Sequence, residues 1–415
     1  MFEAASAVVN APVGWPTFYS VMLLEVAIVL AVLLAGGGYR WLRRRAVGGR
    51  GQATGQPTEL GQEIRGRWFL RRCLGAIWIL DGLLQAQPGM PAGFPGGILS
   101  PAAAGQPSWL VALLHWEISV WQAHPVHLAV ATVLIQVGIG ATILGGGNSR
   151  IGRLALWGSI GWGVLVWAFG EAFGGLLAPG ASLVSGSPGS VLAYMAAAAL
   201  LLAPAEWWHR GAARRALEVG VGGVFLVGAG LQTLPFEGFW TPGGIGGTFS
   251  AVAKLPQPSL LSGPVRALGA IVATDPLLWN TILVAAMAGI GVTLCLGGMG
   301  RWVLAAALSW TAFAWWFGQD FGGFGTGVAT DPNLAPLLAL FLLTACLAPD
   351  RKLPGEEVAR VAWSHPGLLR GLAIAGGVTL AVGMFGALPY LSQAVAHSGS
   401  APAAAALAES HHRAP

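Results

Sequence analysis

The stretch RRCLGAIWILDGLLQAQPGMPAGFP at 71–95 has a counterpart later in the same chain, RALEVGVGGVFLVGAGLQTLPFEGFW at 215–240. When the two are aligned, Gln85 falls on Gln232 and Pro88 falls on Pro235. A long segment that recurs within one chain is the signature of a duplicated structural unit. The pair therefore predicts a fold built from two copies of one helical unit.

The correspondence continues beyond this first segment. GIGAT at 138–142 meets GIGVT at 289–293, and FGEAFGG at 169–175 meets FGQDFGG at 317–323. We therefore predict one four-helix repeat at 64–212 and a second at 213–350. Residues 1–63 are expected to hold a leading transmembrane helix and a basic cytoplasmic linker. Residues 351–415 are expected to hold a cytoplasmic loop, a trailing transmembrane helix and a disordered tail.

The composition indicates a membrane protein. Hydrophobic residues make up 55% of the chain and charged residues only 9%, whereas a soluble domain carries about 25% charged residues. We predict an all-α integral membrane protein that contacts the lipid bilayer and binds no nucleic acid. Ten apolar runs are predicted to cross the hydrocarbon layer of about 30 Å, of which the run at 333–348 is short: 17–37, 69–88, 125–145, 154–176, 189–206, 216–235, 277–297, 302–322, 333–348 and 368–391.

The distribution of basic residues predicts the orientation. Of the 22 Lys and Arg residues, all but Lys254, Arg266 and Arg413 lie in segments that these spans place on one side of the membrane. Loops rich in Lys and Arg stay in the cytoplasm. We therefore expect a multi-pass protein of the inner (plasma) membrane with both termini extracytoplasmic. Because each repeat has an even number of spans, the repeats should be parallel, related by an axis along the membrane normal.

Repeated polar residues cluster at the predicted outer ends of the helices. Gln85 and Gln232 end the first helix of each repeat, and Glu171, Gln319 and Asp320 follow the third helix. One interpretation is an outer-facing pocket, either one for each repeat or one shared between them. The alternative is that these side chains cap helix ends and bond to neighbouring loops.

Two acidic residues lie deeper in the predicted spans. Glu25 is within the leading helix, and Asp81 is within the first helix of repeat 1, where repeat 2 has Gly228. Ionisable groups at such a depth are costly unless they face a bundle interior, a partner or water. We expect Glu25 and Asp81 to face inward and share a proton or a polar cavity. A protonation site or quinone contact and a structural hydrogen bond are both compatible with this placement.

Metal and disulfide chemistry have little support in the sequence. Cys73, Cys295 and Cys346 fall near the predicted cytoplasmic ends of helices, and no Cys-x-x-Cys pair occurs. An outer-face disulfide centre is therefore not expected. His115, His124 and His127 have no standard metal-ligand spacing, so no metal site is predicted.

Each repeat resembles the DoxX/DoxD family of four-helix bacterial membrane proteins. The resemblance rests on Arg72-x-Leu74-Gly75, on the outer segment Phe94-Pro95 and on IQVGIGATILGGGNSRIGRLAL at 135–156; repeat 2 matches more loosely with MAGIGVTLCLGGMGRWVLAA at 287–306. It covers roughly 64–350. The resemblance implies a membrane subunit similar to that of a thiosulfate:quinone oxidoreductase, with quinone as a cofactor candidate. It carries no catalytic residue over to this chain.

Three functions follow as alternatives. The first is a DoxX-like subunit or accessory protein of an extracytoplasmic, quinone-linked redox system, with an extracytoplasmic or membrane redox protein as its partner. The second is a small-solute or proton-coupled transporter, which duplicated halves and buried acids would suit. The third is a membrane scaffold that docks an extracytoplasmic partner. No haem ligand pair, Fe–S cysteine set, P-loop or dinucleotide fingerprint is present, so we expect no self-sufficient redox enzyme.

Overall fold

The computed structural model describes residues 16–28 and 64–349, together with 378, 381, 383, 386, 387 and 390. Within these residues the secondary structure is helical, with no strand. The predicted linker, the predicted tail and most of the predicted trailing helix at 368–391 lie outside the described residues. The all-α fold class is confirmed for the part of the chain that the structure describes.

The main helices are α1 Pro16–Ile28, α2 Arg65–Gln85, α3 Ser108–Ala123, α4 Pro125–Gly146, α5 Arg150–Leu165, α6 Val191–Leu202, α7 Ala212–Thr233, α8 Pro242–Val252, α9 Ser259–Thr274, α10 Pro276–Cys295, α11 Arg301–Phe313 and α12 Leu334–Leu347. Shorter helical segments complete the connections: Met90–Phe94, the π turn Pro95–Leu99, Ser100–Ala103, Ala205–His209 and the 3-10 turn Pro235–Glu237.

Four helical stretches are long and apolar enough to cross a membrane: Pro125–Gly146, Arg150–Gly170, Ala212–Thr233 and Pro276–Cys295. Shorter apolar helices stand beside them, among them α1, α6, α9 and α12. These helices indicate a multi-pass membrane protein in contact with lipid.

The other predicted spans differ from this pattern for two physical reasons. Helix α2 has the length of a span, but it begins with four arginines and contains Asp81. Helix α6 has only 12 residues, which at 1.5 Å per residue is about 18 Å and shorter than a hydrocarbon layer of about 30 Å. The count of ten spans therefore stays a prediction.

Two close helix crossings organise the bundle, and both are made by glycine. Helix α2 packs against α4, and α7 packs against α10. A Cβ on Gly140 would lie 2.5 Å from the carbonyl oxygen of Gly75, and a Cβ on Gly291 would lie 2.9 Å from that of Gly222. Small residues let helix backbones approach closely in membrane bundles. Because these glycines have no side chains, α2 can lie close to α4, and α7 can lie close to α10.

Gly140→Ala should lower the stability of the first half by about 1–3 kcal/mol, because the added methyl group would lie 2.5 Å from the backbone oxygen of Gly75 and 2.9 Å from the backbone nitrogen of Ile79. Gly138→Ala is the matched control on the same helix, since nothing lies within 4 Å of its added Cβ. It should be neutral or slightly stabilising, because Ala is the better helix former. Thermal unfolding of the two purified variants measures the difference; equal stabilities would contradict the close crossing.

The segments after α5 and α11 have the same irregular conformation. A π turn at Val166–Gly170 precedes a 3-10 turn at Ala172–Gly175, and Ala314–Gly318 precedes Asp320–Gly323 in the same way. Phe173 and Phe321 both have positive φ, at 58° and 52°, which is uncommon for a bulky residue. The motif FG-x-x-FGG thus ends both helices with the same turn.

Two loops cross from one half of the chain to the other. The first crossing loop, residues 176–190, reaches the second half, where Gln319 Nε2 donates to the carbonyl of Val184 at 3.3 Å and Ser182 Oγ donates to Gln232 Oε1 at 2.8 Å. The second crossing loop, residues 324–333, reaches the first half, where Val328 lies against Gly93. Each half is therefore completed by a loop from the other.

Candidate functional site

A cavity of about 530 Å³ lies inside the first half of the chain, between α2, α3, α4, α5 and α6. We call it the aromatic cavity, because its walls include Trp78, Phe94, Trp116, Trp121, Trp162 and Phe169. The second crossing loop contributes Thr330 and Asp331. Its volume falls within the range of about 300–1,000 Å³ that is typical of small-molecule sites.

Polar atoms without partners belong to the residues around this cavity. Five lining residues each have a buried side-chain oxygen with no hydrogen-bond donor among the described residues: Asp81 Oδ1, Gln85 Oε1, Glu117 Oε2, Gln136 Oε1 and Glu171 Oε2. The side chains of Asp81, Gln85 and Gln136 are only 2%, 4% and 5% exposed. Burying an oxygen without a partner costs about 1–3 kcal/mol, so the arrangement is one that a bound ligand would stabilise.

The cavity is acidic. Four of its lining residues are Asp81, Glu117, Glu171 and Asp331, and none of its lining residues is Lys, Arg or His. Among the described residues, no group of three or more His, Cys, Asp or Glu side chains is placed to hold a metal ion. The acidic residues around the cavity are therefore not arranged as a set of metal ligands.

The two glutamates outside the spanning helices have weakened acidity. Burial raises the pKa of Glu117 to about 7. Glu171 follows the span that ends at Gly170, and its pKa rises to about 8, first because of burial and second because of the negative charge of Asp331. Hydrogen bonds from Ser190 and Val191 act in the opposite direction. Both groups can therefore change charge between about pH 6 and pH 9.

Glu171 connects the cavity to the start of α6. Its Oε1 accepts hydrogen bonds from the backbone N–H groups of Ser190 at 2.9 Å and Val191 at 3.2 Å, and from the Ser190 hydroxyl. A carboxylate at a helix N-terminus satisfies donors that have no partner within the helix. Oε1 is thus structural, whereas Oε2 stays unpartnered in the cavity wall.

A second cavity of about 400 Å³, which we call the vestibule, adjoins the first. It is formed largely by residues in the segments 98–106 and 170–190. The two cavities share six lining residues: Ile98, Gly170, Glu171, Ser190, Thr330 and Asp331. Glu171 and Asp331 therefore stand at the passage between the vestibule and the aromatic cavity. This passage lies at the opposite end of the bundle from the arginines that begin α2 and α5.

The structure brings only part of the predicted pocket together. Asp81, Gln85 and Glu171 line the aromatic cavity, whereas Gln232, Gln319 and Asp320 do not. Gln232 Oε1 accepts a hydrogen bond from Ser182, and Gln319 Oε1 accepts one at 3.0 Å from the N–H of Ala335. Asp320 is buried in the 3-10 turn after α11. In the second half Gln232 and Gln319 therefore bond to a loop and to a helix start, whereas Asp320 Oδ2 has no hydrogen-bond partner among the described residues.

Glu25 and Asp81 do not share a site, contrary to the expectation from their depth. Glu25 Oε1 lies 2.8 Å from His127 Nδ1, and the His127 side chain is 69% exposed. Glu25 is not among the residues that line the aromatic cavity. Counting residues along a helix gives depth but not direction, which is why the pairing with His127 was missed.

Several cavity residues were missed by sequence reasoning. Gln136 interrupts an otherwise apolar stretch of α4, and Glu117 lies on a helix that contains three tryptophans; both features were available signals. Tyr194 lies beside Asp81 within an alanine- and leucine-rich helix. Asp331 belongs to the other half of the chain, and no local pattern connects it with this cavity.

Comparisons of the chain with protein families, with curated proteins and with solved structures gave no match. The function is therefore argued from the site.

Proposed function

We propose that this protein binds a small organic molecule in the aromatic cavity and admits it through the vestibule. One observation carries the proposal: five residues that line an aromatic-walled cavity of about 530 Å³ each have a buried oxygen without a donor among the described residues. A protein with a purely structural role has no use for such a group of unpaired atoms, because each one destabilises the fold. A ligand that donates hydrogen bonds would satisfy them.

The two halves of the chain have separate roles in this proposal. We propose that residues 64–212 and 213–350 are parallel copies, as supported by the shared glycine crossings and the shared FG-x-x-FGG turns. The second copy has lost the polar lining, since Asp81, Glu117 and Gln136 align with Gly228, Leu268 and Met287. A Cβ on Gly228 would lie 2.5 Å from that of Leu183, so the first crossing loop fills the space there. The first half binds, and the second half supports it.

We propose that the protein lies in the inner membrane with the vestibule on the extracytoplasmic side. Both termini are proposed to lie on that same side. The arginine-rich helix starts would then lie in the cytoplasm. In a background without the three native cysteines, Lys254→Cys should react with a membrane-impermeant maleimide in intact cells. Arg150→Cys, at the opposite end of the bundle, should react only after lysis. The reverse pattern would overturn the orientation.

Uptake or exchange of a small solute suits this cavity better than docking alone, because a scaffold needs no acidic cavity among its helices. A DoxX-like, quinone-linked redox accessory is the second candidate. It is favoured by Trp162 Nε1, which lines the cavity and has no acceptor among the described residues, and by the Tyr194 hydroxyl. Two such donors could bind the carbonyl oxygens of a quinone. This candidate also needs a redox partner.

Gln85 and its aligned partner Gln232 offer a matched test of ligand binding. Full-length protein in lipid nanodiscs is titrated with phenethylammonium, 2-phenylethanol and a short-chain ubiquinone, with tryptophan fluorescence as the readout. At least one probe should bind saturably. Gln85→Ala should weaken that binding about tenfold, since one hydrogen bond to a charged or polar ligand contributes about 1.5 kcal/mol.

Gln232→Ala should leave probe binding unchanged and lower the unfolding temperature instead, because it removes the acceptor of Ser182 at the crossing loop. Absence of saturable binding for all three probes, or equal effects of the two variants on binding, would contradict the proposed function.

A further inference from the structure

Resting on the proposed binding function, we infer that the ligand is an organic cation, with an ammonium group between Asp81, Glu171 and Asp331 and an apolar body against the tryptophan walls. The inference narrows the class of ligand to amines that carry an aromatic or similarly apolar group. It also makes Asp331, from the second half of the chain, part of the binding site.

The balance of hydrogen-bonding atoms is the first argument. Five lining residues have a buried oxygen without a donor among the described residues, against two unpartnered donors, the indole N–H of Trp162 and the hydroxyl of Tyr194. A quinone offers only acceptors and would leave most of these oxygens unsatisfied. An ammonium group offers up to three donors and no acceptor. The cavity therefore matches a ligand rich in donors.

The charge of the cavity is the second argument. Asp331 interacts electrostatically with both Asp81 and Glu171, and no basic side chain lines the cavity to offset these groups. Like charges close together in a medium of low dielectric constant are costly unless protons or a counterion neutralise them. A cationic ligand would supply the missing positive charge at the passage through which it enters.

The aromatic walls are the third argument. The indole N–H of Trp78 donates to Ser159 at 2.9 Å, and that of Trp121 donates to the carbonyl of Pro91 at 3.0 Å. Their polar atoms are thus already used, so these rings offer the ligand apolar and π surface. Tryptophan is the best aromatic partner for a cation when water is excluded. A metal ion would make no use of these walls.

The experiment compares ligands of the same shape and different charge on the wild-type protein in nanodiscs. Phenethylammonium should bind at least tenfold more tightly than 2-phenylethanol, and phenylacetate should not bind measurably. Calorimetry or tryptophan fluorescence gives the dissociation constants. Phenyltrimethylammonium has the positive charge but no N–H donors, so it separates the contribution of charge from that of hydrogen bonding. Its affinity should lie between those of phenethylammonium and 2-phenylethanol.

The outcomes distinguish this inference from the proposed function. If 2-phenylethanol or a short-chain ubiquinone binds as tightly as phenethylammonium, the cationic ligand is wrong but the binding cavity stands. If no probe binds, the proposed function fails and this inference fails with it. A preference for phenylacetate would also overturn the inference.

Discussion

Replacing Asp81 with Asn is expected to weaken the binding of phenethylammonium about a hundredfold or more. The Asp81 side chain is 2% exposed, and its Oδ1 has no partner among the described residues. Removing one partner of a buried ion pair costs about 3–5 kcal/mol, and every 1.4 kcal/mol changes a dissociation constant about tenfold. Asn keeps the size of the side chain but presents an N–H group to a cation. Isothermal calorimetry on the two proteins measures the loss.

Glu25→Gln is the matched control for this substitution. It also removes one carboxylate, but Glu25 lies in the leading helix, pairs with His127 and is not among the residues that line the aromatic cavity. Its effect on binding should be less than about threefold. Asp81→Asn should remain folded, because it relieves the repulsion between Asp81 and Asp331. Binding by Asp81→Asn within threefold of wild type, at unchanged thermal stability, would remove Asp81 from the site.

How far the sequence predicts this fold depends on the kind of signal. Apolar runs give helix type and approximate length, so the long helices α4, α7 and α10 were located well. Such runs do not separate a span from a buried short helix: α9 was not foreseen as a helix, and α6 is shorter than the predicted span at 189–206. Helix α2 contains charged residues, which a prediction from the length of an apolar run does not take into account.

Alignment of the repeats predicted equivalent positions but not equivalent environments. Gln85 and Gln232 end aligned helices, yet only Gln232 accepts a hydrogen bond from Ser182 of the first crossing loop. The difference arises from a contact between residues 50 positions apart, which no local pattern encodes. Asp331 was missed for the same reason. The sequence therefore indicated the acidic residue Asp81, which lies within a helix. It did not indicate Asp331, which the second crossing loop places beside the aromatic cavity.

The prediction of an outer-facing pocket, one for each repeat or one shared between them, rested on aligned residues that have different neighbours in the two halves. The polar residues Asp81 and Gln136 have apolar or glycine counterparts in the second half, Gly228 and Met287. Substitutions of that kind remove two of the polar side chains that line the aromatic cavity in the first half. The crossing loop can then pack against Gly228. Unequal halves follow from a few side chains, while the helix order stays the same.

Glu171 allows structural and ligand-binding roles to be separated in one residue. Glu171→Gln keeps an oxygen at the start of α6, so the bonds from Ser190 and Val191 should persist, as they do for Gln319 at Ala335 in the second half. Glu171→Ala removes the acceptor of three donors. Since each unsatisfied buried donor costs about 1–3 kcal/mol, Glu171→Ala should lose several kcal/mol of stability. Thermal unfolding should therefore rank Glu171→Gln near wild type and Glu171→Ala far below it.

The pH dependence of Glu171→Gln tests the ligand-binding role. The pKa of Glu171 is raised from 4.5 to about 8 by burial and by Asp331, so the folded protein keeps a proton that the unfolded chain releases. Its contribution to stability therefore falls as pH rises from about 4.5 to about 8, and Glu171→Gln should lack that part of the fall.

Binding changes in the opposite direction. Ionisation of Glu171 adds a negative charge at the passage, so wild-type affinity for phenethylammonium should rise between pH 7 and about pH 9, where an alkyl ammonium is still protonated. In Glu171→Gln this rise should be reduced, and the part that remains below about pH 8 should come from Glu117, whose pKa is about 7. The affinity of both proteins for phenethylammonium, measured at pH 6, 7, 8 and 9, tests this expectation. An identical pH profile in Glu171→Gln and wild type would show that Oε2 does not face the bound cation, leaving Glu171 with the structural role at α6 alone.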